Sequence, residues 1–403
     1  MDLHSGAPFW LIRNGLGQPG PTLDRNEHCD VVIVGAGVTG ALVADALVRA
    51  GQDVVVLDRR EPGLGSTAAS TALLQYELDI ELVALTKMIG ADRATRAYQL
   101  CRDAIGRLET LCLELGGCDF AQRSSLYLAS RRRDGRRLME ETELRQSAGL
   151  SAEWWTREEV ASRYGFPSHG AIRTETAAQV DAVQLTRALL QRATAGGCRV
   201  YSRTTVTGYQ EADGGVAVRT DRPHVVTARL LVYAIGYEVP FMLRRELVDL
   251  HSSYALATQV VENFGPWDDR CLVWESARPY CYLRTTADNR ILIGGEDVPF
   301  RAPALRDRLL PKKRGRLEDR LGKLLPAVDA TTAFAWAGTF GETADGLPYI
   351  GSAEGFPRVL FALGYGGNGI TYSVIASELL TDACRGRENP NAPLFAFDRP
   401  SPK

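Results

Sequence analysis

The chain has 403 residues, 45% of them hydrophobic and 24% charged, and a formal net charge of −2. This length predicts two closely joined domains rather than one core, and the composition is that of a globular protein. Near-neutral charge argues against a nucleic-acid surface, and no apolar run reaches the roughly eighteen residues that a membrane-spanning helix needs.

Residues 1–27 read as an N-terminal arm. They lack a charged start, apolar core and small-residue cleavage site in succession, so neither a signal peptide nor an anchor is expected. Residues 31–34, VVIV, predict a buried strand, and glycines follow at once. Gly35 permits a tight turn, Gly37 lets a pyrophosphate approach the backbone, and Gly40 lets the next helix pack close. Ala41, Leu42, Ala44, Leu47 and Val48 then recur at helical spacing, Gly51 closes the helix, and residues 54–57 form a second strand ending at Asp58. Such a unit binds a dinucleotide, with the Asp58 carboxylate near a ribose hydroxyl. Alone it does not choose between NAD and FAD. Arg59 and Arg60 suit a 2′-phosphate, whereas Asp58 repels one.

A small-residue loop, GLGSTAASTALLQYELD, leads into a helical stretch at 81–115 that Gly90 divides. A strand at 124–130 and a charged helix at 134–147 follow. After Gln179 come a helix, a strand and a hairpin at Gly214-Gly215, then a strand at 225–236. Alternating strands occupy 250–298, with a hairpin around Asp288-Asn289, and the chain closes with strand, glycine turn and helix. It is thus expected to leave the nucleotide domain and return twice. The clusters Arg131-Arg132-Arg133 with Arg136-Arg137, and Lys312-Lys313-Arg314, read as solvated helix faces. Eight cysteines without a CxxC pair, and without histidines clustered beside them at metal-ligand spacing, predict reduced structural thiols, a cytoplasmic protein and no metal site.

Three distant segments look like one cofactor site: the glycine turn, ARLLVYAIGYE with small Ala234 and Gly236, and GYGGNGITYS. In the last, Gly366, Gly367 and Gly369 precede a helix whose N-terminus would stabilise an anionic flavin edge. Together with GSTAAS, QVDAVQLTRAL, YLRTTADNRILIGGE and TADGLPYIG, in this order and across nearly the whole chain, they resemble the D-amino acid oxidase superfamily of FAD enzymes. That superfamily includes glycine oxidase, sarcosine oxidase and gamma-glutamylputrescine oxidase-like proteins; FWLIRNG at 9–15 resembles the lead-in of the last branch.

The resemblance implies an α/β fold: a Rossmann-like FAD-binding domain interleaved with an α+β substrate domain built on an antiparallel sheet. The expected partition is 28–85, 172–240 and 330–390 for FAD, 86–171 and 241–329 for substrate, and a tail from 391. It implies that Gly35, Gly37, Val38 and Gly40 meet the pyrophosphate, Asp58 the ribose with Arg59 beside it, and Val206 the adenine. Ser66 and Thr67 would hold phosphate or ribityl oxygens, and Asn368, Gly369, Ile370 and Thr371 would face the pyrimidine end. Sarcosine oxidases tether their flavin through a cysteine where this chain has Gly338, and GSTAAS lacks the histidine that related dehydrogenases use. Non-covalent FAD is therefore expected. STALLQ also lacks the Arg-Asn-Gly-Gly run of many relatives.

Amine oxidation asks the protein chiefly to position a neutral amine. Arg284 is the leading candidate for a substrate-carboxylate clamp, with Tyr282 on the same strand face, and Tyr254 as a hydroxyl or wall. Trp336 and Tyr365 flank the family motifs as candidate lining residues; no histidine has a catalytic context, and Asp345 fits either a hydrogen bond near the flavin or a turn. The expected activity is oxidation of a primary or secondary amine, with oxygen or another acceptor. The alternatives are dehydrogenation of a hydroxy acid or polyol phosphate and a catalytically silent flavoprotein. Oligomeric state is not legible.

Overall fold

Val31, Val32 and Ile33 are fully buried because their strand, Glu27–Val34, lies at the middle of a largely parallel sheet covered on both faces. The structure is a computed structural model and describes residues 2–212, 214–240, 242–243 and 247–400. In this sheet the order is Tyr349–Ser352, Val359–Leu363, Val225–Gly236, Glu27–Val34, Val54–Leu57 and Arg199–Tyr201. A hairpin, Val206–Ala212 with Gly215–Thr220, continues from the edge of Val225–Gly236. Val34 pairs with Leu57, Tyr233 with Val34, and Gly236 with Leu363, so the carboxyl ends of four strands share one rim. Ligands of open parallel sheets bind at such a rim.

The helices Val38–Arg49, Ala182–Ala195 and Gly369–Cys384 pack together on one face of that sheet. The long helical stretch is two helices, Leu82–Ile89 and Ala91–Glu114, separated at Gly90 with φ +91°. Glycine adopts that conformation without the Cβ clash other residues suffer.

The second sheet has ten strands and is almost entirely antiparallel. Its order is His4–Gly6, Thr332–Glu342, Asp249–Thr258, Ile291–Pro299, Cys281–Thr285, Leu272–Glu275, Ala121–Leu128, Ala171–Gln179 and Leu73–Gln75, with Glu153–Trp155 against Ala171–Gln179. Three segments assigned to the nucleotide domain from sequence, 73–75, 172–179 and 332–342, therefore stand in this sheet. Alternating apolar residues announce a strand but not which sheet it joins. The N-terminal arm also adds a strand here and buries Phe9 and Trp10.

The helix Pro303–Leu324 lies across the sheet's far face. Its basic run is not a solvated face throughout, as expected from sequence: Lys313 is buried and donates to the carbonyl and carboxylate of Glu296. Arg316 joins the same carboxylate.

Candidate active site

A cavity of about 460 Å³ runs from the strand rim to the second sheet. At the rim, Gly35 has φ +109°, and a Cβ there would lie 2.4 Å from the Ala234 carbonyl. Gly37 opens onto the cavity, where its hypothetical Cβ meets only the Thr67 hydroxyl at 3.2 Å. That hydroxyl accepts the Val38 N–H at 3.0 Å and ties the helix start to the short helix Ser66–Ala69. Asp58 accepts the Ala36 and Arg60 N–H groups at 2.6 and 2.7 Å, and burial pushes its carboxyl upward. Each oxygen keeps a lone pair for a ligand hydroxyl. Arg59 lines the same end and pairs with Glu238.

Beyond the rim, the loop at 69–72 forms one wall. Three buried donors from separate parts of the chain hold its consecutive carbonyls. Trp336 Nε1 donates to Ala69 at 2.9 Å, Trp10 Nε1 to Ser70 at 2.6 Å, and Arg284 Nη1 to Thr71 and Ala72 at 3.1 and 2.7 Å. Opposite, Gly366 and Gly367 precede the helix Gly369–Cys384. Asn368 is not directed at a ligand through its amide nitrogen: Nδ2 donates to the carbonyls of Gln75 and Glu77.

The far end is aromatic and acidic. Tyr254, Trp274, Tyr280, Tyr282 and Phe340 line it, with Glu77 and Asp79. The Tyr254 ring is a wall, its hydroxyl turned 3.4 Å from the Arg306 carbonyl. Tyr282 contacts Thr71 and Ser253, and burial pushes its phenol up to about 12. It is neutral near pH 7, a donor rather than a base.

A family model described as FAD dependent oxidoreductase matches residues 30–383. The chain belongs to this family. Among curated relatives, the gamma-glutamylputrescine oxidoreductase of Escherichia coli K12 is 28% identical over 390 residues, covering 91% of this chain and 86% of that protein. A glycine oxidase of Bacillus licheniformis is 24% identical over 375 residues, covering 89% and 94%. The glycine oxidase structure from Geobacillus kaustophilus superposes with a TM-score of 0.79 at 22% identity, covering 93% of this chain and all of that one. This FAD-dependent oxidoreductase therefore has the glycine oxidase fold.

The residues present fit FAD. A bare Gly37 at the N-terminus of the helix Val38–Arg49 leaves room for a pyrophosphate, the Asp58 oxygens stand at the neighbouring strand end, and the glycine turn at 366–369 lines the same cavity. Val206, Ser66, Ala234, Gly236, Gly338 and Ile370 line the same space, as do Trp336 and Tyr365. Among the described residues, neither cysteine nor histidine lines it, in keeping with FAD held without a covalent bond.

Three sequence expectations are corrected. Arg284 does not line the cavity; it is 1% exposed, and its guanidinium is spent on the carbonyls of Thr71, Ala72, Val180 and Thr285. The strand alternation put it on the face of Tyr282, but one register deeper, behind the loop. Gly40 lies outside the lining, because a Cβ there would sit 1.8 Å from the Gly35 carbonyl: it packs the helix against the turn. Thr371 is buried within the helix packing and likewise absent from the wall. Of the two readings left open for Asp345, the turn is the one present: its Oδ1 accepts the Leu347 N–H at 3.1 Å, and its carboxylate pairs with the buried Arg399. Glu77, Asp79, Trp274, Tyr280 and Phe340 were not foreseen. They sit in segments without a motif, and only the closure of the two sheets brings them together.

Proposed function

We propose that this FAD-dependent oxidoreductase oxidises the C–N bond of a primary or secondary amine to an imine, which water then hydrolyses. The observation that carries the reading is the far end of the cavity, where the rings of Tyr254, Trp274, Tyr280 and Tyr282 wall the space beside the flavin position. An unprotonated amine needs only to be oriented and kept from water, which such walls supply. Bound FAD supplies the two-electron acceptor. The two relatives named above act on amine-type substrates according to their names, which supports the same class.

In this reading Gly35, Gly37 and Val38 meet the pyrophosphate, Asp58 the ribose and Val206 the adenine. Ser66 and Thr67 hold the central oxygens, and Gly366, Gly367, Gly369 and Ile370 meet the pyrimidine edge. Tyr282 orients the amine, Tyr254 and Trp274 wall it, and the 69–72 carbonyl clamp fixes the loop above it. Free, buried cysteines support a cytoplasmic protein, and no helix among the described residues is long and apolar enough to cross a membrane.

Anaerobic mixing of the yellow holoenzyme with panels of amines and hydroxy acids tests this. Amines are expected to bleach the flavin absorbance. Bleaching by hydroxy acids alone would overturn the reading. Peroxide formation in air then reports whether oxygen is the acceptor.

A further inference from the structure

We propose that Gly294 sets how large a substituent the reacting amine can carry toward the second sheet, by letting the Tyr282 ring lie down against that sheet. This rests on the amine reading above, with Tyr282 in the substrate's wall, and adds a specificity-determining residue to it.

One row of directly paired residues crosses the second sheet at the cavity: Tyr127, Trp274, Tyr282, Gly294, Ala255 and Trp336. Paired residues share a face, so all six positions point the same way. Trp274, Tyr282, Ala255 and Trp336 line the cavity, which makes that face its floor. Gly294 belongs to the row but not to the lining, because Tyr282 covers it. A Cβ on Gly294 would lie 2.6 Å from the Tyr282 hydroxyl oxygen, 2.7 Å from Cζ and 2.8 Å from Cε2. The outer half of the ring therefore rests on bare backbone.

Backbone geometry does not ask for glycine at this position. Gly295 beside it has φ +126°, and a Cβ there would strike the Tyr280 carbonyl. Gly294 has no positive φ, and the three atoms nearest its Cβ position all belong to the Tyr282 ring. What glycine supplies at 294 is space for that ring. A methyl group would force the ring away by about 1 Å, to ordinary carbon contact at ~3.5–4.0 Å. One flank is closed by Trp274, which stacks on Tyr127 at 3.6 Å between centroids and donates through Nε1 to Ser125 at 3.2 Å. The Tyr280 ring stands 5.8 Å from that of Tyr282. Movement off the sheet is left, and that leads into the space for the amine.

The test uses holoenzyme and a series from N-methylethylamine to N-methylhexylamine, followed by anaerobic flavin reduction and by perturbation of the oxidised flavin absorbance. Gly294→Ala is expected to purify with the wild-type ratio of flavin to protein. It is expected to lower the long-to-short ratio of second-order reduction about tenfold or more, the scale on which a pocket rejects an extra methylene. In a Tyr282→Ala background the same methyl meets no ring and is expected to leave that ratio unchanged. In a Tyr282→Phe background, where Cζ and Cε2 remain, the loss is expected to persist. A ratio unaffected by Gly294→Ala, or lowered equally without the ring, would overturn the role of Gly294 while leaving amine oxidation intact. Loss of flavin from Gly294→Ala would set the ring against the cofactor and overturn that role too. Size-dependent loss of binding in Gly294→Ala, without reduction by any amine, would overturn amine oxidation while leaving Gly294 in its role. Neither binding nor reduction by any amine would overturn both.

Discussion

Arg284 donates through one nitrogen, Nη1, to the Ala72 carbonyl at 2.7 Å, the shortest of its bonds to four backbone carbonyls. Among the described residues no carboxylate is in hydrogen-bond contact with this buried cation, which stacks 5.3 Å over the Trp10 ring. Burial lowers its pKa to about 9, so it stays charged at neutral pH. The loop it holds contributes Ser70, Thr71, Ala72 and Leu73 to the cavity. Arg284→Met leaves these carbonyls without a donor, at about 1–3 kcal/mol for each buried group left unmade. Weaker FAD retention and a lower unfolding midpoint are expected, measured by flavin release and thermal denaturation. A variant that keeps FAD and loses only affinity for carboxylate substrates would restore the clamp role.

How far the sequence showed this site depends on the kind of interaction. Gly35, Gly37 and Asp58 were legible because a strand, a tight turn and a helix succeed one another locally, and backbone geometry restricts the residues allowed there. Arg284 was visible as an arginine on a strand face, but its partners Thr71 and Val180 are more than a hundred positions away. Whether a side chain at that register meets cavity or loop is decided by tertiary closure. Asp79 belongs to the same category. Lys313 illustrates the reverse error, since a basic run on a helix looked solvated until Glu296 was found beneath it.

Asp345 and Arg399 form a doubly hydrogen-bonded pair at 2.7 and 2.8 Å, with side chains 3% and 2% exposed. Arg399 also donates to the carbonyls of Leu347 and Pro348, fastening the tail to the turn before Tyr349–Ser352. Removing one partner strands a buried charge, which costs about 3–5 kcal/mol. Arg399→Leu is expected to lose that much in denaturant unfolding. Asp345→Asn with Arg399→Leu should recover part of it, and full additivity of the two changes would contradict a coupled pair.

Asp297 has its pKa raised from 3.8 to about 6, first by burial and then by Asp79, while Ser253, Tyr280 and His251 favour its charged form. A raised carboxyl binds its proton more tightly when folded, so its contribution is present below about pH 4 and lost as pH rises through about 6. Asp297→Asn should therefore stabilise the apoprotein near pH 7, by on the order of 2 kcal/mol, and flatten its stability between pH 4 and 7. Denaturant unfolding of the wild type and the variant at several pH values checks the sign, and a variant less stable than the wild type near pH 7 would contradict it.

Gly37 and Gly40 lie three residues apart yet predict different failures. Gly37 has an ordinary φ of −77°, and an added methyl would meet only Thr67 Oγ1 at 3.2 Å while projecting toward the cavity. At Gly40 the same methyl would lie 1.8 Å from the Gly35 carbonyl, so the helix must move off the turn. Gly37→Ala is expected to fold with an unfolding midpoint within a few degrees of wild type and to purify with little flavin. Gly40→Ala should lose both, since separating helix and turn disrupts the packed core, where overpacking costs typically about 1–3 kcal/mol and more against backbone. Circular dichroism melting beside the ratio of flavin to protein absorbance separates the two cases. A yellow Gly37→Ala with unchanged FAD affinity would remove the pyrophosphate from that face of the turn.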